Sequence, residues 1–269
     1  MVKCKPKGGK PLKTGKVLSF LDSLSDAVVN GRPTTAIILA AGTSERFSGG
    51  TGEKKQFLPV LGIPAVLRSA LAFEECTDVK QIIVVTGEDD IEKMKSLLAG
   101  KITKLSDVTA GGATRLDSAN AGLLLADPKS KFIAVHDAAR CLVTVDMIKK
   151  VIAEAVRYGA AAAATPASDT VKITDGGRTV VETPDRDRIW LAATPQIFAA
   201  NLYRVAVYTA LRDGISVTDD CSAVERIGAK VKLVDCGREN IKITYPVDAA
   251  IAEAILVQRG IRRESGDKK

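Results

Sequence analysis

The sequence predicts an α/β fold with a mostly parallel sheet, and three observations carry that prediction. Apolar runs of strand length recur at 36–39, 81–86, 132–135, 160–165 and 231–234. Between them, apolar residues fall at helical spacing over 64–75, 89–98, 113–126, 144–158, 202–211 and 246–257. Short buried strands alternating with helices of about 10–15 residues mark βαβ units and a parallel sheet. The third observation is local: the first run breaks into Ala40-Ala41-Gly42 and then a glycine-rich, basic loop. Ligands of parallel sheets bind beyond the carboxyl ends of the strands, and this loop sits at such an end.

Ahead of the first run, residues 1–32 form a basic N-terminal extension. Its first 16 residues hold Lys3, Lys5, Lys7, Lys10, Lys13 and Lys16 and no acid, so most of the net charge of +7 lies in a tail. This composition predicts a solvated lead-in, flexible or partly helical. A nucleic-acid arm is the alternative reading. Val17, Leu18, Leu21, Leu24 and Val28 have the spacing of a short amphipathic helix. The main domain is expected over 33–262, with a polar tail at 263–269.

The turn at Ala40, Ala41 and Gly42 lets backbone approach a ligand, and exposed N–H groups in such a turn favour anions. Arg46, Lys54 and Lys55 add positive charge to the same loop. A strand feeding a small-residue, basic loop reads as a triphosphate cradle. It is not a P-loop, because G-x-x-x-x-G-K-[ST] is absent, and not a dinucleotide fingerprint, because G-x-G-x-x-G is absent. The bland alternative is a strand-to-helix turn with surface lysines.

Gly111 and Gly112 permit a tight turn ahead of the 113–126 helix. Thr114, Arg115 and Ser118 then offer hydroxyls and a cation at a helix start, a place for a phosphate, ribose or base edge. Equally, Thr114 or Ser118 could simply satisfy the first backbone donors of the helix. At the end of the 132–135 run, Asp137 could hold Mg²⁺ against phosphate oxygens. His136 is the only histidine. It reads as a structural hydrogen bonder, and a histidine metal site is ruled out within one chain. No G-x-S-x-G elbow accompanies it.

Residues 170–174 and 178–181 flank Asp175-Gly176-Gly177 and predict a polar hairpin. A lone two-stranded hairpin is marginal in water, so it needs a packing surface, for which a partner subunit is a natural candidate. Thr170 and the charge-dense 185–190 stretch, with Arg186, belong to this arm, expected at about 166–192. Lys242 lies between Ile241 and Ile243, on the opposite face of a predicted short strand over 240–244. It is either an edge-strand charge or a phosphate ligand.

Composition narrows the function. The apolar fraction is 46% and the charged fraction 26%, ordinary for a soluble globular protein. Aromatics make up 4%, too few for a base-stacking platform. Five widely spaced cysteines, with no C-x-x-C, fit free thiols in a reducing compartment. There is neither a membrane-length apolar run nor a secretory signal pattern. A cytoplasmic location, with no nucleic-acid or membrane partner, is the expectation.

Taken together, AIILAAGTSERF, KKQF, GGATRLDS, VHDAAR, DTVK, DRDRIWLAATPQIF, VTDDCSAVE and NIKIT occur in an order that resembles the 2-C-methyl-D-erythritol 4-phosphate cytidylyltransferases. The resemblance runs from about Thr35 to Gly260. It implies a Rossmann-like α/β nucleotidyltransferase domain with a protruding hairpin arm used for dimerisation. It implies a Mg²⁺-assisted reaction of CTP with a polyol phosphate, with Arg46 and Lys55 catalytic. Ala40, Ala41, Gly42, Lys55, Gly112, Arg115, Ser118, Asp137 and Ala138 would bind CTP, and Asp137 the metal. Thr170, Arg186 and Lys242 would bind the acceptor, the first two in the partner's site. Ribitol 5-phosphate cytidylyltransferases resemble this family closely and are the alternative. The chain departs from the pattern at Ala113, where an acid is common, and at Cys141, where proline is usual.

Overall fold

The structure is a computed structural model that describes residues 32–42, 44, 47 and 54–262. The 17–31 segment, Arg46, Cys4 and the 263–269 tail lie outside the described residues. The first apolar run becomes β1 (Thr34–Ala40), buried along nearly all its length, as a strand covered on both faces must be. A single 3-10 turn (Lys55–Phe57) follows the basic loop. A two-rung hairpin of β2 (Pro59–Val60) and β3 (Ile63–Pro64) leads into α1 (Ala65–Glu75). The alternation continues through β4 (Val79–Thr86), α2 (Ile91–Leu98), β5 (Leu105–Ala110), α3 (Arg115–Leu124), β6 (Phe132–Asp137), α4 (Val145–Tyr158) and β7 (Ala160–Pro166). Then come the small pair β8 (Ile173–Thr174) and β9 (Val180–Glu182), followed by β10 (Trp190–Ala199). The chain ends with α5 (Ala200–Arg212), α6 (Asp220–Arg226), β11 (Lys232–Asp235) and α7 (Pro246–Gln258).

Seven strands form one sheet in the order β11-β7-β10-β6-β1-β4-β5. All neighbours are parallel except β10, which runs antiparallel to both β6 and β7. The predicted α/β class and mostly parallel sheet are therefore what the chain adopts. Successive side chains of β7 face opposite cores, as strand geometry dictates. Ala161 and Ala163 join a core with Phe73, Met94 and Ile148, whereas Ala160 and Ala162 join Leu116, Phe198 and Tyr203 on the other face. A third cluster, with Val60, Leu142, Ile243 and Leu256, seats α7 near the carboxyl ends of β1 and β6.

Besides the two-residue strands β2 and β3, three elements escaped the sequence reading. β5 is an edge strand with an only half-buried, polar sequence, and α6 is barely two turns long. β10 carries Pro195 and leaves Trp190, Leu191 and Ala192 exposed before turning fully buried, so it shows no clean period. One expectation is corrected: 240–244 is not a strand. Its sidedness nevertheless holds, because Ile243 donates its N–H to the Ala139 carbonyl at 2.9 Å and is fully buried. Among the described residues no helix is long and apolar enough to cross a membrane.

Candidate active site

Three loops at the carboxyl ends of β1, β5 and β6 meet in a cleft of about 550 Å³. The β1 loop contributes Ala40, Ala41 and Gly42, with Ser44 and Lys55 behind them. Ser44 Oγ accepts the Lys55 N–H at 3.2 Å, which ties the two ends of the basic loop together. The β5 loop can lie this close only because it carries glycine. A Cβ at Gly111 would come within 2.6 Å of both the Ala41 methyl and Ser118 Oγ, and one at Gly112 within 2.4 Å of Asp117 Cβ. Both distances are far inside van der Waals contact, so the pair is required by the approach of the loop to β1 and to α3.

The start of α3 resolves two open readings. Thr114 is its N-cap: its Oγ1 accepts from Asp117 N at 3.1 Å, and Asp117 Oδ2 accepts the Thr114 N–H at 3.0 Å. This reciprocal pair satisfies backbone donors and commits Thr114 to structure. Ser118 Oγ donates to the Thr114 carbonyl at 3.0 Å and accepts the Gly112 N–H at 3.2 Å. It thus fixes the glycine turn at the cleft wall.

Asp137, at the end of β6, is the electrostatic centre. Arg115 Nη2 lies 3.1 Å from its Oδ1 and Lys242 Nζ 2.8 Å from its Oδ2, with Arg140 Nε at 3.9 Å. Burial works against its charge, but Arg115, Lys242 and Arg140 outweigh burial and hold the carboxyl well below the usual carboxylate range. Arg115 also bonds Asp220, which is buried and accepts the Tyr203 hydroxyl at 2.5 Å. Burial disfavours the Arg115 charge, yet the two carboxylates keep its pKa above the ordinary arginine value.

His136 has the structural role expected of it. It is fully buried, and burial drives its pKa down to about 3, so it is neutral at physiological pH. Its Nε2 lies 3.3 Å from the Arg140 carbonyl, which can only accept, so Nε2 carries the proton. Nδ1 then accepts from Thr194 Oγ1 at 3.1 Å, and the same oxygen accepts the Asp137 N–H at 3.0 Å. His136 and Thr194 therefore set the backbone of the Asp137–Arg140 loop.

Beside the cleft, and sharing Lys242 with it, lies a second hollow of about 390 Å³. Two buried polar atoms among its lining residues have no hydrogen-bond partner, Arg140 Nε and Asn240 Oδ1. Such groups are costly without a partner, and a ligand with both anionic and hydroxyl groups suits them.

The structure gathers Ala40, Ala41, Gly42, Lys55, Gly112, Arg115, Ser118, Asp137, Ala138 and Lys242 around one cleft. It does not bring Thr170 or Arg186 there. Both are exposed on the arm, where Arg186 donates to the Ser168 carbonyl at 3.3 Å. Lys54, another cation of the basic loop, is ion-paired with Asp90 at 2.6 Å. Sequence reasoning passed over Arg140, Asn240 and Asp220 as site residues. The density of charge in HDAAR and VTDD was the available signal. Asp137 is the only acid lining the cleft among the described residues. The cleft thus offers Mg²⁺ one carboxylate, within the one or two that the ion takes alongside substrate oxygens. The four described cysteines, Cys76, Cys141, Cys221 and Cys236, are free, as expected, and all are buried.

Comparison with known proteins gives a consistent result. The family model for 2-C-methyl-D-erythritol 4-phosphate cytidylyltransferase matches residues 34–258. The chain is 40% identical over 224 residues to the protein of that name from Symbiobacterium thermophilum, covering 83% of this chain and 93% of the relative. It is 42% identical over 229 residues to the Rubrobacter xylanophilus protein of the same name, covering 83% and 95%. The crystal structure of 4-diphosphocytidyl-2C-methyl-D-erythritol synthase from Anaerococcus prevotii superposes with a TM-score of 0.76 at 30% identity, covering 86% of this chain and 99% of that one.

Proposed function

Because the chain belongs to the 2-C-methyl-D-erythritol 4-phosphate cytidylyltransferase family, we propose that the cleft between β1, α3 and β6 is where it carries out that family's reaction. The chain is a nucleotidyltransferase of isoprenoid biosynthesis that joins CTP to 2-C-methyl-D-erythritol 4-phosphate. The names of its relatives favour this acceptor over ribitol 5-phosphate.

The observation that carries the site assignment is the concentration of Arg115, Lys242 and Arg140 on Asp137 beside the glycine-walled turn. A phosphate oxygen of the acceptor attacks the α-phosphorus of CTP, the α–β bridging P–O bond breaks, and pyrophosphate leaves with the bonding electrons. The acceptor is already an anion, so no general base is needed. The difficulty is to bring two anions together in line. Arg46 and Lys55 neutralise the charge that builds on the α-phosphate. Ala40, Ala41, Gly42, Gly112, Ser118 and Ala138 offer close backbone to the nucleotide, and Arg115 a cationic edge. Asp137 would hold Mg²⁺, which when bound neutralises phosphate charge as a Lewis acid. Lys242 stands between the two hollows and serves both substrates, with Arg140 lining the acceptor side.

The arm completes the acceptor side in a homodimer on this reading. Val180 and Val181 expose 51% and 62% of their surface, and Trp190 and Leu191 are also exposed. That apolar surface supports burial against a second subunit. Thr170 and Arg186 then serve the partner's cleft. Four buried free thiols support a cytoplasmic setting.

The direct test measures pyrophosphate release with CTP and each acceptor, with and without added Mg²⁺. Rapid release with methylerythritol phosphate alone is the expected result. Equal or faster release with ribitol 5-phosphate would reassign the acceptor.

A further inference from the structure

The mechanism leaves Asp220, a buried charged group, without a role. Asp220 is the first residue of α6 and is 1% exposed, so it cannot touch a substrate. Three elements nevertheless hold it in place. From β10, Gln196 Oε1 accepts the Asp220 and Cys221 N–H groups, each at 3.1 Å. From α5, the Tyr203 hydroxyl donates to Oδ1 at 2.5 Å. From α3, Arg115 Nη1 bonds Oδ2. The Tyr203 ring is itself stacked on Phe198, with centroids 4.9 Å apart, so the hydroxyl cannot swing away.

Arg115 therefore has one edge in the core and one in the cleft. Its Nη1 edge is committed to Asp220, and its Nη2 edge meets Asp137 at 3.1 Å. A free arginine side chain has several rotatable bonds and loses considerable entropy when it orders. A carboxylate that is itself immobilised removes that cost before a nucleotide arrives, which is preorganisation. We propose that Asp220, fixed by Tyr203, is a positioning residue: it holds the Arg115 guanidinium in the orientation that receives the nucleotide. This rests on the reading that the cleft binds CTP through Arg115.

CTP binding to the full chain, measured by calorimetry without acceptor, together with steady-state KM and kcat, tests it. Asp220→Asn should weaken CTP binding by roughly tenfold, as loss of a group that orients a ligand-binding residue commonly does. Tyr203→Phe should act in the same direction by a smaller factor. The KM for CTP should rise in both, while the KM for the acceptor stays put. Asp220→Asn leaves the buried Nη1 edge of Arg115 without its carboxylate and is at risk of not folding. The Arg115→Met/Asp220→Asn double variant removes both charges and avoids that. If Asp220 acts through Arg115, the double variant binds CTP no worse than Arg115→Met alone. Unchanged CTP affinity in a folded Tyr203→Phe and Asp220→Asn pair would overturn the assignment, and so would additive losses in the double variant. If the unaltered chain fails to bind CTP, it is the reading of the cleft that falls.

Discussion

In the cleft, Asp137 meets Arg115, Lys242 and Arg140 within one chain, and glycine lets two loops touch. On the arm, Thr170 is exposed, Arg186 reaches a neighbouring carbonyl, and β8 and β9 pair only with each other. The charges of the first region face one another, whereas the apolar side chains of the second face outward. A preorganised charge cluster suits a nucleotide whose phosphates are held in one fixed geometry. An arm of exposed valines and a tryptophan suits a contact made only in the assembled protein. On the reading proposed above, the contrast divides the labour: nucleotide activation is built into a single chain, and the arm adds to acceptor recognition on assembly.

The largest expected effect lies in the cleft. Lys55→Ala, or Arg46→Ala, should lower turnover by about 10²-fold or more, as removal of one preorganised electrostatic contact does elsewhere. Near-normal kcat in a folded variant would break the cleft half of the comparison. Mixing sharpens it next. At acceptor concentrations well below KM, Lys55→Ala should be nearly inactive and Arg186→Ala reduced about tenfold, and co-refolded mixtures should exceed both, because one interface then pairs an intact cleft with an intact arm. No recovery would place both residues in one subunit's site.

A smaller effect is expected for Arg186→Ala alone: a rise of roughly tenfold in acceptor KM from loss of a charge-assisted hydrogen bond. Its CTP affinity should be unchanged by calorimetry. Val181→Glu should shift sedimentation toward a lighter species without touching CTP binding. If the mass is unchanged, the exposed apolar surface of the arm is not the contact.

The smallest effect on activity concerns His136. Its folded pKa of about 3 keeps it neutral, so kcat should show no inflection from its titration between pH 6 and 8. Stability is a different matter. A histidine with a depressed folded pKa is protonated first in the unfolded chain, so lowering the pH below about 6.5 favours unfolding. The loss approaches about 1.4 kcal/mol per pH unit until the folded pKa is reached. Asp137 adds loss of the same sign only at lower pH, where the unfolded carboxyl gains a proton and the folded one does not. A thermal-midpoint series from pH 7 to 4.5 should therefore fall in the native chain and flatten in His136→Gln.

Periodicity made most of the sheet legible. The runs at 36–39 and 132–135 became β1 and β6 because strands buried on both faces must be continuously apolar. The Gly111-Gly112 pair was legible as a tight turn, although Gly111 also answers sterically to Ala41 in another loop. β10 was hidden because it is buried only in its second half and contains a proline. Asp220 was hidden for a different reason: its meaning depends on Arg115 and Tyr203, residues 105 and 17 positions away. Thr114 shows the opposite case, a polar residue at a suggestive place whose side chain is spent on its own helix.

The arm has one further property. Its base is a ladder in which Pro166 pairs with Trp190 and Thr165 with Leu191, and the Ala167 N–H donates to the Ile189 carbonyl at 3.0 Å. Chain leaves and returns across that single rung, between two strands that are already neighbours. Everything between 167 and 189 is therefore a cassette. It can be lengthened, shortened by pairs of residues, or exchanged with a relative's without moving a strand of the parallel sheet, which leaves the choice of partner free to drift while the nucleotide chemistry stays fixed.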